Sequence, residues 1–291
     1  MRFLLALLFG TVAVGQTLEA KVQDLIRDFD GAVSIFAKNL DTQKTHTLRG
    51  DEPVRTASTI KLAVMIEAFA EVQEGRIKWT DTLLLRDEDK VSGSGVLHEF
   101  SSGIRLPIKD VVNLMIVVSD NTATNLLIDK FTADAVNRRM DSLGFKQTRL
   151  MRKVRGDGTK LKPAEGWSEY GKRPESQRFG LGSTTPREMV TLLEKLNKGE
   201  IVNPAASQQM IEILKRQQDN SGLSRRLGTL TAANKSGALD ALRSDVGIVY
   251  APTGKIAIAI TVDGMKKTDY TPDNIGNILI AELTKLLVAS L

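Results

Sequence analysis

The chain is 291 residues long, 42% apolar and 5% aromatic, enough for a sizeable core in one large domain or two small ones and too apolar for a disordered chain. Without a cysteine it has no disulfide framework, no thiolate nucleophile, no cysteine metal site and no site for an amino-terminal lipid. The net charge of +5 is local: nine Lys/Arg stand against four Asp/Glu between Arg149 and Arg178, and no aromatic interleaving or recognition motif accompanies them, so nucleic-acid binding is not expected.

The first segment carries Arg2 and a twelve-residue apolar run, Phe3 to Val14, ending in the small residues Ala13-Val14-Gly15. It reads as a secretory signal cleaved before Gln16, too short to span a bilayer, so the mature chain is expected in the periplasm or medium without a membrane anchor. Leu18, Val22, Leu25, Ile26 and Phe29 then recur at helical spacing, and Ala32 to Ala37 reads as a strand. A polar turn, Leu40 to Lys44, leads to a second strand over Thr45 to Leu48. The middle of the chain is helical, with segments expected over Thr59–Glu74, Ile108–Val118, Thr122–Lys130, Ala133–Leu143, Pro186–Leu196 and Pro204–Arg216. One long irregular stretch runs from Lys146 to Ser183, and loops of that length are usually functional or mobile. Asp245–Tyr250 and Ile256–Val262 read as strands joined by Pro252-Thr253-Gly254, and a last helix buries Ile275, Ile278, Leu279, Leu283, Leu286 and Leu287. The expected fold class is α+β, an α/β sandwich. One antiparallel sheet is built from both chain termini (about 16–57 and 217–291) and flanked by helices, with an all-α lobe (about 58–216) inserted.

Two of the middle helices are apolar nearly all round, which implies burial, and each carries polar residues at an end. Ser58-Thr59-Ile60-Lys61 starts one; Ser119-Asp120-Asn121 follows the other; Lys235-Ser236-Gly237 stands near the last strands. Capping explains Ser58 or Asn121 alone, but not Lys61 facing inwards on a buried helix. Together the three motifs supply the parts for serine acyl transfer without histidine. Ser58 is the nucleophile, one helical turn from the Lys61 amine. Burial and a second cation, Lys235, would keep that amine neutral and able to take the Ser58 proton. Ser119 can pass a proton to a leaving nitrogen, Asn121 can hydrogen-bond a substrate amide, and Gly237 suits an edge strand that a ligand approaches closely. The two histidines, His46 and His98, lie in unrelated contexts and read as ordinary surface or partly buried residues.

These motifs, with Thr122-Ala123-Thr124-Asn125 continuing the second and Thr184-Thr185-Pro186 ahead of a helix, resemble the class A β-lactamases and, more broadly, the penicillin-recognising serine hydrolases. The resemblance spans the whole mature chain. It implies an acyl-enzyme on Ser58, an oxyanion hole of the Ser58 and Ala238 backbone N–H groups, Lys61 as base and Ser119 as proton shuttle. It further implies that Lys235 and Ser236 hold a substrate carboxylate, assisted by Arg243, whose other reading is a solvated turn arginine. No cofactor or metal is implied, and the expected state is a monomer. One departure stands out: the loop before Thr184-Thr185-Pro186 lacks the E-x-x-L-N signature whose glutamate activates water in class A enzymes. Glu169 has the most suitable offset from Pro186, with Glu165 and Glu175 behind it, and Asn125 is expected to pin the loop to its helix as the matching asparagine does in the family.

A secreted serine β-lactamase is therefore the leading expectation. Its rivals are a D-alanyl peptidase or esterase of the same fold, and a penicillin-binding protein that acylates without turning over.

Overall fold

A computed structural model of the protein describes residues 16–291; the expected signal segment lies outside the described residues. The first part of the chain forms α1 (Leu18–Ile26), β1 (Ala32–Asn39), β2 (Thr45–Leu48), β3 (Val54–Arg55) and α2 (Lys61–Gln73). The middle supplies β4 (Thr82–Leu84), β5 (Arg105–Pro107), α3 (Ile108–Val117), α4 (Asn121–Phe131), α5 (Ala133–Ser142), β6 (Arg149–Leu150), β7 (Gly182–Thr184), α6 (Pro186–Asn197) and α7 (Pro204–Leu214). The chain finishes with β8 (Thr231–Leu239), β9 (Leu242–Ala251), β10 (Gly254–Asp263) and α8 (Ile275–Ser290).

The main sheet has the order β2-β1-β10-β9-β8, every neighbouring pair antiparallel, so the two strands from the start of the chain join the three from its end side by side in one sheet, as expected. Period-two alternation divides its residues between two cores. Val33, Ile35, Val249, Ile258 and Ile260 pack with Leu279, Leu283 and Leu287 of α8 on one face. Phe36, Ala259, Val246, Ile248 and Ala233 face the helical layer on the other. Lys235 lies two residues beyond Ala233 and so points to the helical side, while Asn234 and Ser236 point away. Because β8 is the outer strand, its free edge is left open beside the helical layer.

The helical layer is organised around α2, whose residues Lys61 to Ala70 are all buried. Leu62, Val64, Met65 and Ile66 are fully buried, and each such side chain contributes about 1.5–3 kcal/mol of transfer free energy. The buried Glu67 of this helix is paired with Arg139 of α5 at 2.8 Å, which ties two helices of the layer together. Among the described residues no helix is long and apolar enough to cross a membrane.

The long stretch before β7 is irregular but anchored. Asn137 of α5 accepts from the Leu150 amide and donates to its carbonyl, at 2.8 and 2.9 Å. Glu188, in the first turn of α6, accepts from the backbone amides of Lys146, Gln147 and Thr148. The buried Leu150 amide and carbonyl would otherwise lack partners.

Candidate active site

Ser58 is half-buried in a short 3-10 turn, Ala57–Ile60, that leads directly into α2. Two non-glycine residues around it have left-handed backbone: Ala57, just before the serine, at φ +46°, and Ser119, at the reversal between α3 and α4, at φ +54°. Such conformations persist only where the surroundings over-determine them, and here both stand at the ends of core elements. Asp120 holds the second reversal. One carboxylate oxygen caps α4 through the Ala123 amide at 2.8 Å; the other accepts from the Val96 and Leu97 amides at 2.6 and 2.8 Å. Gly95 makes this possible, since a Cβ there would come within 2.4 Å of the Asp120 carboxyl and Cα.

The second close approach is at Gly237. A Cβ at this position would lie 2.8 Å from the Thr56 carbonyl oxygen and 2.9 Å from the Ser58 nitrogen, so only glycine lets β8 pass against the Ser58 turn. Ala238, the next residue, is exposed on the edge strand. The Ser58 and Ala238 amides therefore lie on facing backbones at the mouth of the same cleft.

Two fully buried lysines converge on one hydroxyl. Lys61 donates to Ser119 Oγ at 3.2 Å, to the Ser119 carbonyl at 2.7 Å and to Asn121 Oδ1 at 3.0 Å. Lys235 donates to Ser119 Oγ at 3.0 Å and to the Ser236 carbonyl at 2.7 Å. Both are 0% exposed. Burial first, then the charge of Lys235, holds the Lys61 amine well below its usual range. Burial likewise lowers Lys235, to about 8, against the opposing pull of Asp245 and Asp219. Two cations in one dry site cannot both be stable, and the better compensated one keeps its proton. Lys61 can thus be the neutral amine and Lys235 the ammonium. Neutral Lys61 keeps two donated bonds, to the Ser119 carbonyl and Asn121 Oδ1, and its lone pair accepts from the Ser119 hydroxyl, which in turn accepts from Lys235.

Ser58, Lys61, Ser119, Asn121, Lys235, Ser236, Gly237 and Ala238 are brought together around this cleft. Glu169 does not join them. Its carboxylate is 75% exposed and paired with Lys172 at 2.5 Å, and its amide donates to Asp134 of α5, on the outer surface. Glu165 and Glu175 are exposed as well, and among the described residues none of the three bonds to the lysine–serine cluster. Counting back from Pro186 misplaces the acid because the loop makes an extra excursion, closed by Lys153 N–H to the Glu165 carbonyl and Lys162 N–H to the Arg155 carbonyl. Asn125 does pin the loop as expected, but to Val154: it donates to the Val154 carbonyl and accepts from its amide, both at 2.8 Å. An apolar residue stands where the helix clamps the loop.

Arg243 is neither free nor solvated. It is 3% exposed, and its two terminal nitrogens donate to the carbonyls of Leu239, Leu242 and Asp269, with the guanidinium over the Tyr270 ring. Three acids of the cleft escaped the sequence reading. Asp245, buried behind Ser236, accepts from Asn234 Nδ2 and the Leu223 amide at 2.9 Å each, and burial pushes its carboxyl up to about 7. Asp219 lines the cleft with Ser236, Gly237 and Ala238. Asp157 comes across from the long loop to the Gly93 backbone, beside Asn121. Isolated aspartates in loops carry no periodic or motif signal that could have flagged the last two.

The family model described as the beta-lactamase enzyme family matches residues 17–291. The chain belongs to that family. It is 24% identical to a beta-lactamase of Bacillus licheniformis over 92% of this chain and 81% of that protein. To beta-lactamase SME-1 of Serratia marcescens it is 23% identical over 63% of this chain, spanning 58% of that relative's length. Among solved structures it is similar to a beta-lactamase from Sphaerobacter thermophilus, with 28% identity, a TM-score of 0.77 and coverage of 92% and 94% of the two chains. It is also similar to a mutant of PBP-A solved as its acyl-enzyme with penicillin G, with 27% identity, a TM-score of 0.78 and coverage of 94% and 95%. Membership agrees with the resemblance read from the three motifs, and the antiparallel sheet with its helical layer agrees with these neighbours' fold.

Proposed function

We propose that the protein is an exported serine hydrolase that opens β-lactams through a covalent Ser58 ester. The observation that carries this reading is the pair of buried lysines sharing Ser119 Oγ beside the Ser58 turn. Neutral Lys61 takes the Ser58 proton as the serine oxygen adds to the lactam carbonyl. The Ser58 and Ala238 amides receive the developing oxyanion. The proton passes from Lys61 through Ser119 to the lactam nitrogen as the ring C–N bond breaks, leaving the acyl ester on Ser58. Asn121 and Ser236 orient the substrate, and Lys235 supplies the fixed positive charge. The apolar leader over Phe3–Val14 supports export to the periplasm or medium.

The second half of the reaction separates two readings. Hydrolysis of the ester needs an activated water, and the acids of the long loop that sequence offered for it are turned to solvent. With Val154 at the Asn125 clamp, this favours a long-lived ester, as in a penicillin-binding peptidase, over rapid turnover. The PBP-A mutant trapped as an acyl-enzyme with penicillin G supports the covalent step.

Intact-mass detection of the penicillin adduct, alongside steady-state hydrolysis of a chromogenic cephalosporin, tests the proposal. The expected result is one adduct per chain with slow release, and no adduct or turnover in Ser58→Ala. Labelling of Ser58→Ala at unchanged stoichiometry would remove Ser58 from the mechanism. Fast turnover without an accumulating adduct would instead favour the efficient β-lactamase.

A further inference from the structure

Adjoining the Ser58 turn at Gly237, a cavity of about 250 Å³ has Asp219, Ser236, Gly237, Ala238, Arg243 and Tyr270 among its lining residues. A free carboxylate on a substrate would need a cation and a hydroxyl there, and Lys235 with Ser236 could provide them. The protein already has a carboxylate of its own in that place.

Asp219 is fixed by its surroundings. Its Oδ1 accepts from the Ser221 amide at 3.0 Å and the Ser221 hydroxyl at 2.6 Å, and its own amide donates to Gln217 Oε1 at 3.0 Å. Gln217 Nε2 in turn donates to the Ile116 carbonyl at 3.0 Å, and the Gln218 amide to the Val117 carbonyl at 3.0 Å. Ile116 and Val117 form the last turn of α3, which continues into Ser119. The same helix end therefore positions both the Ser119 hydroxyl and the Asp219 carboxylate. Asp219 is exposed at the rim; partial desolvation works to raise its carboxyl, but the Ser221 and Ser236 hydroxyls, the Ser221 amide and the Lys235 charge outweigh it and hold the group below the usual carboxylate range, hence ionised at neutral pH.

The rest of the mouth does not offset this charge. Two donors of Lys235 are engaged with Ser119 and Ser236. The terminal nitrogens of Arg243 are engaged with three backbone carbonyls. Asp157 approaches from the opposite lip at Gly93, and Tyr270 donates its hydroxyl to Asp240 at 2.6 Å. A substrate carboxylate would enter as a second anion beside Lys235, and like charges placed together are how binding sites reject a partner.

We infer that Asp219 is a specificity-determining residue of the Ser58 site: it disfavours acyl donors that carry a free carboxylate at the Lys235–Ser236 end of the cleft and favours donors with an uncharged or cationic group there. This rests on the reading of Ser58 as the acylated nucleophile. It deepens that reading by reversing one expectation, that Lys235 and Ser236 are free to hold a substrate carboxylate.

Penicillin G and its methyl ester differ only in that carboxylate, and their acylation rate constants can be read by intact mass on the full chain. In the unmodified protein the methyl ester is expected to acylate at least as fast as the free acid. In Asp219→Asn, which keeps the Oδ1 acceptor for Ser221, the ratio of acid to ester rate constants should rise by about tenfold or more. A free acid that outpaces the ester tenfold in the unmodified protein overturns the inference without any variant. An acid-to-ester ratio unchanged within twofold in Asp219→Asn overturns it too, while labelling of Ser58 leaves the proposed function standing. If neither compound labels Ser58, the proposed function falls and the inference with it.

Discussion

Lys61 and Lys235 reach Ser119 from the start of α2 and the middle of β8, where most neighbouring side chains are buried. The segment 146–183, on the other side of Asn121, is held by Asn125, Asn137 and Glu188 among other contacts, and its carboxylates face water. A side chain on a packed element is placed by the core to within a fraction of an ångström, and so can be desolvated and shifted in pKa. Glu169, on a solvated stretch of loop, is instead paired with its surface partner Lys172. On the proposed reading, the groups that would form the ester are built into the fold, whereas those that would feed water to it depend on a loop clamped at Val154.

Removing the fixed cation should break the first region hardest. Lys235→Ala is expected to lower acylation efficiency by about 2–4 kcal/mol, the scale of a charge-assisted contact in a dry site. The pH profile tells whether the loss is electrostatic. Acylation by the unmodified protein should fall at low pH as Lys61 gains a proton, and fall again above about pH 8 as Lys235 loses its charge. Without Lys235 the alkaline limb should vanish, and the acid limb should move up in pH because the neighbouring cation that lowers Lys61 is gone. A change of less than about twofold with both limbs in place would make Lys235 structural.

Asn125→Ala attacks the junction between the two regions. It removes both bonds to Val154 and leaves a half-buried backbone amide and carbonyl without partners, which should lower the urea unfolding free energy by about 1–3 kcal/mol. Faster proteolysis within 146–183, with the acylation rate of the surviving protein nearly intact, would show that the loop is separable from the lysine–serine cluster. Equal losses in both would show that it is not.

The smallest effects are expected in the loop itself. Glu165→Gln, Glu169→Gln and Glu175→Gln should each change the rate of ester release by less than about twofold, as measured by the decay of the penicillin adduct in a mass spectrum. One variant that accumulates adduct while the others do not would place a water-activating acid on this loop after all and erase the contrast.

Much of this was legible in the residues. The apolar periodicity of α2 and α3 reports burial directly, since each side chain's environment repeats along its own helix, and the order of Ser58-Thr59-Ile60-Lys61, Ser119-Asp120-Asn121 and Lys235-Ser236-Gly237 pointed to the chemistry. The main strands at both ends read as short apolar runs bounded by polar turns, as strands covered on both faces do, so one sheet drawn from both termini could be expected from the residues alone. What sequence could not carry was distance between residues far apart in the chain. That both lysines meet on one Ser119 hydroxyl follows from packing β8 against the Ser58 turn, which depends on the missing Cβ of Gly237. Likewise Glu169 has the right offset and the wrong place, because an irregular loop has no period by which to count, and its path was settled by what Asn125 and Asn137 hold. Asp219 had no signal at all: only the tertiary fold, by hanging its segment on the end of α3, brings that carboxylate to Lys235.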